Sequence, residues 1–353
     1  MGEIARTTRK PGPELGPGPG PGPNPELGPE LGPGPGPGTD LEEYRVELTG
    51  YCYRMLGSVF EAEDAVQDTM VRAWRGLGRF EGRSSLRSWV YRIATNVCLD
   101  ALNAGSRRAL PMDLSQPQTV ATAVLKTRAE PTWLEPVPDA RVLPQGAADP
   151  AEAAVGRESV RLAFVAALQR LPARQRAVLI LREVLAWRAS EVAELLGTTV
   201  ASVNSALQRA RATLAESPAR ESDPAAPLDG EQQKLLARYV AAFEGYDMEA
   251  LTAVLHEDVV MSMPPYDLWI QGPRNFTDWM LGPGAVCRNS RLRPTVANGA
   301  PAFAHYHAES DGGFSPWALQ VMEVRDGRVL GVHCFMDTAR WFPLFGLPMR
   351  LEG

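Results

Sequence analysis

The sequence reads EAEDAVQDTMVRAW at 61–74 and, after a short break rich in Gly, Arg and Ser, SSLRSWVYRIATNVCLD at 84–100. The first stretch carries an apolar stripe at helical spacing, formed by Ala62, Val66, Met70 and Trp74. The second carries another, formed by Leu86, Trp89, Val90, Ile93 and Val97. Such spacing predicts two amphipathic helices that pack against each other through these stripes.

The polar faces of the two helices carry the functional signal. On the first helix the residues away from the stripe are Asp64, Gln67, Asp68 and Arg72. On the second, a cationic and amide-bearing row is formed by Arg92, Asn96, Asp100 and Asn103. Next to Trp89 and Tyr91, this row suits a protein that holds unstacked nucleic-acid bases, because aromatic rings stack on bases and cations attract phosphates.

A second motif lies in residues 171–214. Ala193, Gly197 and Val203 stand four and then six residues apart. A helix-turn-helix needs a small residue where its helices cross, glycine in the turn and an apolar residue that holds the second helix inward. That helix, about 200–214, exposes types suited to phosphates and base edges in a major groove: Thr199, Ser202, Asn204, Ser205, Gln208, Arg209 and Arg211. A helical hairpin in another kind of bundle is the alternative.

The charge distribution divides the chain. The net charge is −6, which argues against a wholly basic nucleic-acid binder. Residues 152–214 hold nine Arg and five acidic residues, whereas residues 229–353 hold ten Lys or Arg and fifteen acidic residues. This asymmetry predicts DNA contact in the middle of the chain but not at its end, and it permits the two parts to attract each other.

The four cysteines, Cys52, Cys98, Cys287 and Cys334, are far apart and form no CxxC pair. Zinc-ligand spacing is therefore absent, and we expect reduced thiols, no metal ion and no cofactor. No apolar run approaches about 18 residues, and the N-terminus has no apolar signal region, so we expect a cytoplasmic protein without a membrane partner.

The chain divides into six segments. Residues 1–39 form a tail with 11 Pro and 10 Gly between positions 11 and 38, which cannot bury a core and is expected to be disordered. Helical patterns at 40–110 and 151–216 are separated by a linker at 111–150, and a second linker follows at 217–228. Residues 229–348 combine two helices with alternating, aromatic-rich runs and Gly-containing turns, which predicts an α+β domain with a mainly antiparallel sheet.

The helical segments resemble regions 2 and 4 of the extracytoplasmic-function (ECF) sigma factors of bacterial RNA polymerase. The first match comprises Asp64–Thr69, Arg72–Trp74, Phe80 and Leu86–Asn96, and the second is the helix-turn-helix. The resemblance implies that Asp64, Gln67, Asp68 and Arg72 bind the beta-prime clamp helices of core polymerase. It also implies that the −10 element of promoter DNA is held by Arg83, Ser84, Ser85, Trp89, Arg92 and Asn96. Region 4 would bind the −35 element and the polymerase beta flap.

The C-terminal segment resembles the SnoaL-like domains of the ketosteroid-isomerase cone fold, through Tyr239–Glu244, Asp247, Leu251, Leu255-His256 and Asp258–Pro265, followed by Gly272. The linker element Trp133-Leu134-Glu135-Pro136 is similar to a tryptophan/proline motif of ECF factors fused to such domains. The fold implies an apolar cone for a small-molecule ligand, with candidate lining residues Met261, Met263, Trp269, Trp279, His305, Trp317 and Phe335.

Two hypotheses follow. In the first, the chain is a sigma factor, not an enzyme, whose SnoaL-like domain regulates it in cis. In the second, that domain is a ketosteroid-isomerase-like enzyme or small-molecule sensor tethered to a DNA-binding module; a dimerisation surface is a third option. An enzyme needs an inward carboxylate in an apolar pocket, and the candidates are Asp258, Asp267 and Asp337. His305 and His307 share a strand face and could be metal ligands, but they lack an evident third ligand, so we interpret them as pocket-lining residues or as strand histidines with satisfied hydrogen bonds.

Overall fold

The structure is a computed structural model and describes residues 41–105, 108–128, 133–144, 149–215 and 230–353. The predicted tail at 1–39 and the second linker at 217–228 lie outside the described residues. Among the described residues, no helix has the length and apolar composition required to cross a bilayer.

The first helical segment, which resembles sigma region 2 and is called region 2 below, is built from α1 (Arg45–Leu56), α2 (Val59–Gly76) and α3 (Leu86–Ala104). The second is called region 4 in the same way. Two serines fix the helix starts: the hydroxyl of Ser58 accepts from the Glu61 amide, and that of Ser85 accepts from the Ser88 amide, as N-cap residues do. The predicted stripes face the core with one exception. Trp74 is 45 % exposed.

Region 4 follows a four-residue helix, α4 (Asp139–Val142). It comprises α5 (Pro150–Glu158), α6 (Leu162–Gln169), α7 (Ala173–Leu179), a π-helical turn (Ile180–Val184), α8 (Ala189–Leu195) and α9 (Val200–Ala215). The turn between α8 and α9 contains Gly197 at φ 60°, a left-handed conformation that favours glycine. Ala193 and Val203 are buried where the helices cross, so the predicted helix-turn-helix is present.

The C-terminal domain contains α10 (Gly230–Glu244), α11 (Met248–Val254), α12 (Pro273–Leu281) and α13 (Thr338–Leu344) around one sheet. Its strands are β1 (Leu255–Ser262), β2 (Trp269–Gln271), β3 (Arg291–Ala297), β4 (Ala300–Ala308), β5 (Phe314–Arg325) and β6 (Arg328–Phe335). The order is β2-β1-β6-β5-β4-β3, and every pairing is antiparallel except β1 with β6. The predicted α+β class is therefore correct.

The two faces of this sheet belong to different cores. The inner face, with residues such as Met261, Phe303 and Met322, packs on α10, α11 and α12. The outer face, with residues such as Val321 and Phe335, joins one continuous core with α13, region 2 and region 4. Because alternate strand residues point to opposite faces, the sheet serves both as the wall of its own domain and as a platform for the sigma regions.

The linker at 111–150 differs from the expected flexible spacer. Trp133, Leu134 and Val137 are buried in its described part. Further upstream, the amide of Gln118 donates to the Trp269 carbonyl over 2.8 Å. A segment rich in Pro shows neither the helical nor the strand period, so its contacts could not be inferred from periodicity. It can still bury apolar side chains, because their removal from water is favourable.

Candidate nucleic-acid interface

The predicted polymerase-binding face is accessible. Asp64, Gln67 and Arg72 are exposed on α2, and Asp68 is half-buried. Asp68 and Arg72 form an ion pair of 2.7 Å one helical turn apart. Asp64 and Asp68 also line a groove between α2 and α3 whose floor is apolar. The arrangement offers an acidic rim beside an apolar groove, which suits a basic, amphipathic partner helix.

The predicted −10 face comprises the loop before α3 and one side of that helix. Arg83 and Ser85 are exposed, Ser84 is half-buried, and the Ser85 hydroxyl is already used as the N-cap of α3. Trp89 is half-buried, and its ring packs against Phe80 with centroids 5.1 Å apart. Asn96 is exposed one helical turn beyond Arg92.

Region 4 covers part of this same face. The Arg92 guanidinium donates to the Glu194 carbonyl over 3.3 Å and lies 3.6 Å from the Glu194 carboxylate on α8. Tyr91 is fully buried, with its ring 5.0 Å from that of Trp187. In this arrangement the Tyr91 ring packs in the core and cannot stack on a nucleic-acid base, contrary to the expectation from the sequence.

The predicted −35 face is open. The seven residues Thr199, Ser202, Asn204, Ser205, Gln208, Arg209 and Arg211 are all exposed. Thr199 has a structural part as well, because its hydroxyl accepts from the Ser202 amide at the start of α9. Arg211 pairs with Glu183 over 2.5 Å, an exposed contact that leaves its position adjustable.

The interface between regions 2 and 4 contains a buried cation. The Arg54 guanidinium on α1 donates to the Ser159 hydroxyl at the end of α5 over 2.7 and 3.0 Å. Burial lowers the pKa of Arg54 to about 10. The Gln169 amide donates to the Arg54 carbonyl over 3.3 Å, so the two regions are joined by polar contacts inside an apolar core.

Comparison with known proteins identifies all three folded segments of the chain. Residues 41–108 match the family model for sigma-70 region 2, residues 161–214 match that for sigma-70 region 4, and residues 236–332 match that for the SnoaL-like domain. The ECF RNA polymerase sigma factor SigG of Mycobacterium tuberculosis is 46 % identical over 88 % of this chain and 83 % of its own length. The chain belongs to the ECF sigma factors.

More distant members of the family share the same organisation. SigJ of Mycobacterium tuberculosis is 29 % identical over 64 % of each chain. The crystal structure of SigJ superposes with a TM-score of 0.57, at 24 % identity over 87 % of this chain and 98 % of that one. The likeness to that structure concerns the fold.

The ECF factor joins its three parts at two buried junctions. The first surrounds Glu135 of the linker, which is 4 % exposed. Its carboxylate accepts from the Ser58 hydroxyl over 2.6 Å and the Val59 amide over 3.1 Å, at the N-terminus of α2. Arg340 of α13 pairs with it over 2.9 Å. Burial raises the pKa of the Glu135 carboxyl, so the cationic partners serve to hold a charge that the interior opposes.

Arg108 completes this first junction. Its guanidinium lies 3.5 Å from the Glu135 carboxylate and 2.7 Å from that of Glu61. Beside it, a cavity of about 50 Å³ is lined by residues of region 2, the linker and α13. Phe335 and Trp341 form part of its wall.

The second junction is the turn between β3 and β4. Asn298 is fully buried, and its side-chain amide donates to the Tyr53 hydroxyl over 2.6 Å and the Val160 carbonyl over 2.9 Å. Its side-chain oxygen accepts from the Val137 amide over 3.0 Å. The Gly299 amide donates to the Asp139 carboxylate over 2.8 Å. One turn of the C-terminal domain therefore contacts region 2, the linker and region 4 together.

The structure brings together five of the seven predicted pocket residues. Met261, Trp279 and His305 lie on or against the inner face of the sheet, with Met263 and Trp317 at its edge. Phe335 is a correction: it points to the outer face and packs with Trp341. Trp269 is another, because its indole donates to the Ser115 carbonyl of the linker over 3.1 Å. Aromatic character alone placed these two residues in the pocket, but the alternation of side chains along a strand determines which face of the sheet each of them occupies.

The carboxylates considered for catalysis lie away from the inner face. Asp258 is exposed, Asp267 is paired with Arg128 of the linker over 2.6 Å, and Asp337 lines the outer cavity.

Sequence reasoning missed the residues of both junctions except Glu135, which it noted only within an unusual linker motif. The Asn298-Gly299 pair was a usable signal for a tight hairpin turn. That this turn is buried could not be inferred, because its partners are 138 to 245 positions away along the chain.

Proposed function

We propose that the chain is an ECF sigma factor whose SnoaL-like domain regulates it in cis by holding regions 2 and 4 in a closed arrangement. In this proposal Asp64, Gln67, Asp68 and Arg72 bind the clamp helices of core polymerase in the cytoplasm. The −10 and −35 faces bind promoter DNA only after the closed arrangement opens. The role of the C-terminal domain is regulatory and not catalytic.

The contact between Arg92 and Glu194 carries the proposal. It joins the predicted −10 face on α3 to the first helix of the helix-turn-helix. Promoter elements centred about 25 base pairs apart lie about 85 Å apart, since B-DNA rises about 3.4 Å per base pair. Two surfaces in direct contact cannot occupy both elements, so promoter binding requires regions 2 and 4 to separate.

The closed interface is suited to opening. Arg54 is buried against a hydroxyl, and the lowered pKa of its guanidinium reflects the hydration that it has lost. A buried cation regains that hydration when its interface opens. The apolar contacts of the shared core favour closure, and the desolvated Arg54 opposes it, so a modest free energy from polymerase or DNA shifts the balance.

The C-terminal domain supplies contacts that bridge the two regions. Asn298 binds Tyr53 of α1 and the Val160 carbonyl that precedes α6. A side chain that joins two bodies at once favours the state in which both are in place. We therefore expect the domain to lower transcription by the free factor and to release it when this turn is displaced.

Run-off transcription with core polymerase tests the proposal on the full chain. Gly299→Ala is the informative variant, because an added Cβ would overlap the backbone carbonyl of Arg157 in α5. Gly327→Ala is the matched control: it adds the same methyl group to a turn of the same conformation, where nothing lies within 4 Å.

The expected result is more promoter-specific transcript from the Gly299→Ala protein than from the wild type, with the control unchanged. Equal output from all three proteins, with equal open-complex lifetimes, would remove the case for regulation in cis. Absence of a promoter-specific product from every protein would instead contradict the predicted promoter and polymerase contacts.

A further inference from the structure

Three metal-ligating side chains meet inside the C-terminal domain, outside both junctions. Cys287 ends the 3₁₀ turn Pro283–Cys287, and His305 and His307 are alternate residues of β4. Their ligand atoms all lie within 4.8 Å of one another. The sequence showed the two histidines on one strand face but no third ligand. The fold supplies it, because the turn after α12 closes over the end of β4.

The two imidazoles have unsatisfied nitrogen atoms. His305 is 2 % exposed, yet its Nε2 has no hydrogen-bond partner among the residues that the structure describes, and the same holds for Nε2 of His307. Buried polar atoms in proteins are nearly always partnered, by protein, water or an ion.

Both rings are also held in orientation by neighbours. The His307 ring stacks on Trp317 with centroids 3.7 Å apart. Nδ1 of His305 lies 3.2 Å from the Gln320 amide, which in turn is bound by the Tyr239 hydroxyl over 3.1 Å. The amide oxygen and nitrogen of Gln320 exchange positions by a simple flip. In the flipped form the oxygen accepts the Nδ1 proton of His305, the amide nitrogen donates to the Tyr239 hydroxyl, and Nε2 of His305 is free to bind a metal, the usual outer-shell arrangement for histidine ligands.

We propose that Cys287, His305 and His307 bind a Zn²⁺ ion within the SnoaL-like domain. One thiolate and two imidazoles form a borderline-soft donor set suited to Zn²⁺, with the fourth position open to water or a ligand of the cone. The Cys287 thiol loses its proton to solvent as the Zn–S bond forms. Donor atoms of a tetrahedral zinc site lie about 3.5 Å apart, so binding draws the three side chains slightly inward. Cys287 is partly exposed at a turn and can make this movement.

Metal analysis of the full-length protein tests the site directly. Protein is stripped with a chelator, loaded with Zn²⁺ alone and desalted, and retained metal is measured by mass spectrometry. We expect one equivalent per chain in the wild type and its loss in Cys287→Ser and in His307→Gln. Loading with Co²⁺ should give a thiolate-to-cobalt charge-transfer band that Cys287→Ser lacks. The controls are His256→Gln and Cys98→Ala, which alter a histidine and a cysteine outside the site and should retain the metal.

A second measurement uses the unmodified chain, so that it does not depend on the folding of a variant. Zn²⁺ should slow alkylation of Cys287 at least tenfold, as followed by peptide mass spectrometry, relative to the metal-free protein. Retention of less than a tenth of an equivalent by the wild type would overturn the proposal. Equal retention by Cys287→Ser, or alkylation of Cys287 at the same rate with and without Zn²⁺, would overturn it as well.

Discussion

Two hairpin turns of the C-terminal sheet have the same local structure and opposite surroundings. Asn298-Gly299 joins β3 to β4, and Asp326-Gly327 joins β5 to β6, each as a two-residue loop between paired strands. Their φ angles are 56° and 66° in the first turn and 50° and 65° in the second, as in the type I′ turns that suit β-hairpins. Asn298 is fully buried between region 2 and region 4, whereas Asp326 is exposed.

The comparison shows that the residues of a turn can fix its backbone conformation without determining whether the turn contacts another domain. Both turns satisfy the same backbone requirement with a short polar residue followed by glycine. At Asn298 the remaining polar atoms bind region 2, the linker and region 4. The exposed turn is therefore an internal reference, and the same substitution at both turns separates the free energy of the junction from that of the hairpin.

The largest effect is expected for Asn298→Asp. The carboxylate keeps one acceptor for the Val137 amide, but its second oxygen replaces the donor to Tyr53 and to the Val160 carbonyl. The Tyr53 proton is already donated to the Glu135 carbonyl, so that oxygen has no donor. We expect the closed arrangement to lose about 3–5 kcal/mol, as for an uncompensated buried charge. Faster hydrogen exchange at the Val137 amide would report the loss.

The reciprocal change at the exposed turn is the control for this experiment. Asp326→Asn should alter stability by less than about 0.5 kcal/mol, because both residues tolerate the left-handed conformation and the site is solvated. If the Val137 amide exchanged its hydrogen at the same rate in both variants, the contacts of Asn298 would add nothing to the stability of the closed arrangement.

Gly299→Ala should have the next largest effect. Alanine in a left-handed conformation costs about 1–2 kcal/mol at either turn, and at Gly299 the methyl group must also displace the Arg157 backbone. Overpacking of this kind costs about 1–3 kcal/mol, which separates it from Gly327→Ala. Small-angle scattering should show a larger radius of gyration for the Gly299→Ala protein alone. Equal radii for both variants would mean that α5 yields without opening the interface.

The helices of regions 2 and 4 could be predicted from the sequence because their information is local. Ser58 and Ser85 cap the helices that follow them, and Ala193, Gly197 and Val203 define the helix-turn-helix. The α+β class of the C-terminal domain followed from alternation and turns for the same reason.

The junctions could not be predicted because their partners are distant along the chain. Glu135 and Arg340 are separated by some two hundred positions, and neither belongs to a periodic pattern. Strand alternation would have corrected Phe335, since Cys334 on the same strand faces the inner core. No local pattern would have shown that region 4 lies on Arg92, because that contact depends on the packing of whole domains.

A smaller effect is expected for Arg340→Met at the first junction. Methionine keeps an unbranched apolar side chain but removes the guanidinium, which pairs with Glu135 and lies 4.3 Å from the centre of the Phe60 ring. Because Arg108 still faces Glu135 and Arg340 is 28 % exposed, we expect a loss of only about 1–2 kcal/mol. Chymotrypsin cleavage after Trp341 within α13 should be faster in the variant than in the wild type; trypsin is unsuitable because Arg340 is the one basic residue of this helix. Unchanged cleavage would show that Arg108 alone neutralises Glu135.

The smallest effect on stability is expected for Glu194→Ala, although it acts at the surface that carries the proposed function. The side chain of Glu194 is 62 % exposed and that of its partner Arg92 is 40 % exposed, so loss of the ion pair should cost less than about 1 kcal/mol. It nevertheless removes the carboxylate partner of a predicted −10 contact, while the Glu194 carbonyl still accepts from Arg92 over 3.3 Å, so binding of single-stranded −10 DNA by the full chain should increase at most a few-fold. Glu191→Ala on the same helix is the control for general charge, since its carboxylate is bound by Arg188. Tighter binding by both variants would point to general charge and not to release of Arg92.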